Sequence, residues 1–162
     1  MAVPSSHLVR ALRRTALTLR SGSPYRWTHQ GACNCGHLVQ TLTRRTPAEI
    51  HRAAITRAGD WGQHAIDYCP TSGLPVDEML GELLEAGLAL SDVGHLERLS
   101  DPRVLRTLPA GERHLDFRRR DDVVRYLEAW AGLLEAEAEA RSDQQTRWDE
   151  QAPRAASPRR AA

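Results

Sequence analysis

Three cysteines and four of the seven histidines of this 162-residue chain fall between residues 29 and 69. The dense part reads His29-Gln-Gly-Ala-Cys33-Asn-Cys35-Gly-His37, and the third cysteine stands in Asp67-Tyr68-Cys69-Pro70. Thiolate and imidazole are the side chains that best hold zinc, copper and iron–sulfur units. Cys33, Cys35, His37 and Cys69 supply three sulfurs and one nitrogen, the donor set of a closed tetrahedral Cys3His zinc site. Four protein ligands leave no open coordination position, so the metal expected here is structural rather than hydrolytic. One feature departs from the usual zinc signature: a single residue separates Cys33 from Cys35, where paired cysteines normally stand two or more residues apart.

Other arrangements use the same side chains. His29 precedes Cys33 by four residues and His64 precedes Cys69 by five, so either can replace His37 as the nitrogen ligand. Cys33 and Cys35 can instead close a strained, oxidising disulfide, or either can pair with Cys69. A helix beginning near His37 would set its N-terminus beside Cys35 and favour the thiolate. A [2Fe–2S] unit with three Cys and one His also starts from Cys-x-Cys, but its remaining ligands follow much closer than they do here. Gln30 to Cys35 is similar to the Gln…Cys stretch of papain-like proteases, short by one residue and in a far shorter chain; His64 or His95 would then be the base. The plain alternative makes Cys33 and Cys35 small loop residues and Cys69 a buried hydrophobe. His51, His95 and His114 read as structural or surface residues, and Tyr25, Trp27, Trp61 and Tyr68 as packing over a small core. There is no phosphate-binding glycine loop and no His-Glu-x-x-His pair, and no catalytic residue is assigned.

The composition fits a globular protein of one domain, with 41% hydrophobic and 27% charged residues. A net charge of +1 gives no global field for nucleic acid or an anionic membrane. Arg10, Arg13, Arg14 and Arg20 near the start and Arg118, Arg119 and Arg120 further on read as solvated faces, so nucleic acid is not an expected partner. No apolar stretch approaches the roughly 20 residues that span a bilayer. No apolar segment follows the N-terminal arginines, so no secretory signal is expected. An odd number of cysteines suits a reducing, cytoplasmic compartment better than a disulfide framework.

The elements that must position the cluster read as helices. Leu8, Leu12, Ala16 and Leu19 recur at helical spacing in a first amphipathic helix, and residues 1–22 form this N-terminal unit. Ser21-Gly22-Ser23-Pro24 breaks it. Residues 25–36 are expected to be irregular, with a short helix over about 37–42. Thr46-Pro47-Ala48-Glu49 carries a capping box with Pro at the first helical position. Further helices are expected over about 63–69, 75–86, 91–99, 102–108 and 121–141. Asp77-Glu78 and Asp121-Asp122 favour helix N-termini through the dipole. The fold expected is all-α, a single compact domain of six or seven mostly short helices, with residues 23–141 as its core domain and the Cys/His site as a staple. Residues 142–162, polar and rich in Pro, Ala and Arg, are expected to be a disordered tail.

Several stretches carry a resemblance. They are Trp27-x-His29-x-Gly31-x-Cys33-Asn34-Cys35-Gly36-His37-Leu38, Gly59-Asp60-Trp61, Asp67-Tyr68-Cys69-Pro70-Thr71-Ser72-Gly73, His95-Leu96-Glu97-Arg98-Leu99-Ser100-Asp101-Pro102 and Asp122-Val123-Val124-x-Tyr126-Leu127-x-x-Trp130. Together, over residues 25 to 135, they resemble a family of small bacterial proteins with no assigned activity. The resemblance implies a bacterial, cytosolic, one-domain protein and transfers no catalytic role. The expected function is a protein-interaction or regulatory factor held together by zinc, with a protein partner and no membrane; homo-oligomerisation through the last helix stays open. The alternative is a thiol-redox or iron–sulfur protein that uses Cys33, Cys35 and Cys69.

Overall fold

The computed structural model describes residues 2–27, 33–46, 49 and 76–151. Among them are six α-helices and no strand: α1 (Ser6–Arg20), α2 (Asn34–Thr43), α3 (Val76–Glu85), α4 (Leu90–Arg98), α5 (Pro102–Thr107) and α6 (Arg120–Gln151), with a 3-10 turn at Ala110–Glu112 before α6. The all-α, single-body architecture expected from the periodicities is therefore the one observed. No helix among the described residues is long and apolar enough to cross a membrane.

The body is built on α1 and α6. Ser5 caps α1, its hydroxyl oxygen accepting the Leu8 N–H at 3.1 Å. Leu8, Leu12, Ala16 and Leu19 are buried along one face, as their spacing requires. From α6, Val123, Leu127, Trp130, Ala131 and Leu134 line the opposing stripe. Full burial of each leucine contributes about 1.5–3 kcal/mol, so this interface dominates the core. Ion pairs record its direction: Arg13 meets Glu135 and Arg20 meets Glu128. Seven residues up α1 correspond to seven down α6, so the two helices are antiparallel. These pairs are solvent-exposed and add little energy; the buried leucines set the register.

The other helices pack on this pair, α2 on α1 and α5 on α6, with α3 and α4 against α2. Gly87, with φ of +99°, ends α3, and the Leu88 N–H returns to Leu83 O at 3.0 Å. Asp92 accepts the Ala89 N–H at 2.6 Å at the start of α4. Asp101 caps α5, accepting the Arg103 N–H at 2.7 Å, with Pro102 at the first helical position. The Asp101 N–H in turn donates to the buried Tyr126 hydroxyl of α6 at 3.2 Å.

Two expectations are corrected. The short helix expected from about residue 37 starts at Asn34, because Cys33 caps it; Cys33-Asn34-Cys35 is a helix start rather than a loop. The last helix does not end near Arg141 but continues to Gln151, through residues expected to be disordered. Its described side chains beyond Arg141 are exposed. They extend a helix already nucleated and packed, at the small propensity cost of Gln, Arg and Asp. Of the capping box at Thr46, the reciprocal bonds are seen: Glu49 N–H to Thr46 Oγ1 at 3.2 Å and Thr46 N–H to Glu49 Oε2 at 2.7 Å. The helix expected after it, and the one at 63–69, lie outside the described residues.

Candidate functional site

Cys33, Cys35 and His37 come together in the first turn of α2, all three buried. Cys33 occupies the N-cap with extended backbone, and its Sγ accepts the Gly36 N–H at 3.3 Å. A sulfur in that position lies in the positive end of the helix dipole, where thiolate is favoured. The Cys35 N–H donates to Glu97 Oε1 at 3.3 Å, which ties the turn to α4. The two cysteines are not joined to each other in a disulfide. Cys33 and Cys35 are two residues apart at the helix start and do not face each other.

His37 is fixed by its Nε2, 3.1 Å from Pro24 O. A carbonyl oxygen only accepts, so Nε2 carries the proton and Nδ1 keeps its lone pair. Burial lowers the His37 pKa below the ordinary imidazole value, with the Pro24 bond opposing the shift. The ring is therefore neutral at neutral pH. A neutral imidazole anchored to a carbonyl through one nitrogen is the form in which metal-binding histidines are held.

Around this turn lies a polar bridge that sequence reasoning missed. Asn34, fully buried, donates from Nδ2 to Leu96 O at 3.0 Å and to Glu97 O at 3.3 Å. Its Oδ1 meets the Tyr25 hydroxyl, which also lies against Phe117 O. The Tyr25 hydroxyl is held well above the ordinary phenol range, first by burial and then by the nearby Cys33, Glu97, Asp116 and Cys35. Trp27 packs on Phe117 with ring centroids 4.6 Å apart, and the Arg98 guanidinium lies over both rings. The Trp27 Nε1 is buried and meets no acceptor among the described residues.

Among the described residues no three His, Cys, Asp or Glu side chains converge as a metal site. Cys69 lies outside the described residues, as do His29, His51 and His64. The start of α2 thus supplies two buried thiols and a neutral imidazole close together in sequence. No family model matches the chain, and no curated protein or solved structure is significantly similar to it.

Proposed function

We propose that this chain is a small helical binding factor in which Cys33, Cys35, His37 and Cys69 hold one structural metal ion, zinc by the nature of the donors. The observation that carries this reading is His37, neutral and anchored by Nε2–H to Pro24 O, one helical turn from a buried sulfur. Ligation by Nδ1 would leave the Nε2–H bond to Pro24 O intact. Cys69 would bring its own segment onto the start of α2, a covalent-like staple between parts of the chain far apart in sequence. Cys35 joins the set if the first turn of α2 opens slightly, and His29 or His64 is the substitute for His37 as the nitrogen ligand. With no open coordination position, the protein acts by binding a protein partner. Ligand thiolates are best kept in a reducing compartment, which favours the cytoplasm in this reading.

The test is metal content per chain, by plasma mass spectrometry on protein purified anaerobically without chelator. The reading expects about one zinc per chain, as a single four-ligand site requires. Cys69→Ser should then lose the metal and lower the melting temperature sharply. Unchanged metal content and melting temperature in that variant would sink it. Iron with visible absorption would make the site an iron–sulfur centre instead.

The position of Cys33 Sγ under the Gly36 N–H favours a second reading, a redox thiol that pairs with Cys69. Thiol titration separates the two. Reactivity that rises with chelator supports metal, and reactivity that rises with reductant supports a disulfide.

A further inference from the structure

We infer that the groove between α1 and the C-terminal end of α2 is a docking site for the phosphate backbone of a nucleic-acid duplex. The inference goes beyond the metal reading and does not depend on it. A net charge of +1 hides a strong segregation. Seven arginines precede Glu49, the first acidic residue in the chain, so the remainder carries the balancing negative charge. Charge asymmetry of this kind marks a polyanion-binding face.

The fold gathers those arginines. The apolar face of α1 lies on α6, which turns Arg10, Arg13 and Arg14 outward, all exposed. At the far end of α2, Arg44 adopts a left-handed conformation with φ of 59°. A side chain larger than glycine costs about 1–2 kcal/mol there. The resulting turn sets Arg44 and Arg45 at the same groove. The groove has a volume of about 910 Å³; among the described residues Arg10, Arg13, Arg14, Arg44, Arg45 and His7 line it, and no carboxylate does. Arg13 is engaged by Glu135. Arg10, Arg14 and Arg44 meet no carboxylate among the described residues.

The shape and chemistry of the walls select the occupant. Guanidinium forks suit phosphate oxygens in pairs. A concave groove fits a rod-like polyanion rather than a flat lipid surface. Among the described residues no aromatic side chain lines it to offer unpaired bases a stacking platform, which favours a duplex presenting its backbone over a single strand. Among the described residues Leu17 is the one large apolar side chain exposed on the wall, too little for the apolar anchor a peptide helix needs.

The test is fluorescence anisotropy of labelled DNA and RNA duplexes of about 20 base pairs with the full chain, between roughly 50 and 200 mM salt. Binding should be independent of sequence and fall steeply with salt. Substituting Arg10→Gln, Arg14→Gln and Arg44→Gln together should weaken binding at least about tenfold and lower the log–log salt slope by about three. All three arginines are exposed, so the variant keeps its fold, checked by circular dichroism. Arg118→Gln with Arg119→Gln, on a different face, should leave the affinity nearly unchanged. Four results would overturn the proposal. They are no binding of either duplex at the low salt, equal weakening by both variants, equal competition by polyglutamate, and a salt-dependent dimer that the groove variant abolishes. The last two would give the groove to an acidic peptide and to a second copy.

Discussion

Asn34 shows how the site is held at the scale of single residues. Its amide reaches two backbone carbonyls, 62 and 63 residues away, and the Tyr25 hydroxyl. Asn34→Ala removes these partners from a fully buried position and should cost about 2–3 kcal/mol, measured by urea unfolding. The tyrosines give a pH signature. Tyr25 and Tyr126 are both held well above the ordinary phenol value, chiefly by burial. Above about pH 10 the unfolded chain has released protons that the folded chain still binds, so stability falls as pH rises. Tyr126→Phe should flatten that alkaline decline, while costing about 1 kcal/mol at neutral pH because the Asp101 N–H loses its acceptor. A decline as steep as in the unaltered protein would refute the assignment. Cys69 lies outside the described residues; that Cys33, Cys35 and His37 lie close together was legible from their spacing alone. The capping role of Cys33 was not, since sulfur is a weak acceptor and cysteine is not a usual cap. The bridging role of Asn34 leaves no sequence signal, because its partners include main-chain carbonyls of a distant helix.

Among the elements, the pairing of α1 with α6 carries the core. Leu12→Ala and Leu127→Ala, each at a fully buried position, should each cost about 2–5 kcal/mol in chemical denaturation. Breaking the exposed Arg20–Glu128 pair should change stability by less than about 1 kcal/mol. The described helices were legible because their signals are local: the leucine stripe and Ser5 for α1, Gly87 after α3, Asp101-Pro102 at α5. Residues 142–151 were misread because they lack an apolar face, and periodicity detects burial rather than helicity. A helix that propagates from a packed stem needs no further burial. Removing residues 142–162 should therefore reduce the far-UV helical signal yet leave the melting temperature nearly unchanged. A large drop would show that the exposed end of α6 is packed against something.

For the whole molecule, the net charge does not describe its distribution: seven arginines precede the first acidic residue, and of these Arg13 and Arg20 pair with Glu135 and Glu128 of the last helix. Fold class was readable at this scale, since an absence of alternation and a succession of helical stripes leave only an all-α body. The partnership of the first helix with the last was not, because antiparallel helix pairs carry no mark of their partner. That partnership bears on biosynthesis. α1 is complete 100 residues before α6 begins. At typical bacterial or eukaryotic elongation rates, α1 waits about 5–20 s for the surface that buries its leucines. A nascent chain halted before α6 should therefore remain protease-sensitive and bind hydrophobic dyes, and should lose both properties once α6 emerges. α1 is made long before the surface that shelters most of its apolar face. During that interval a basic amphipathic segment stands exposed beside the ribosome, a natural client for whichever chaperone works at the exit tunnel.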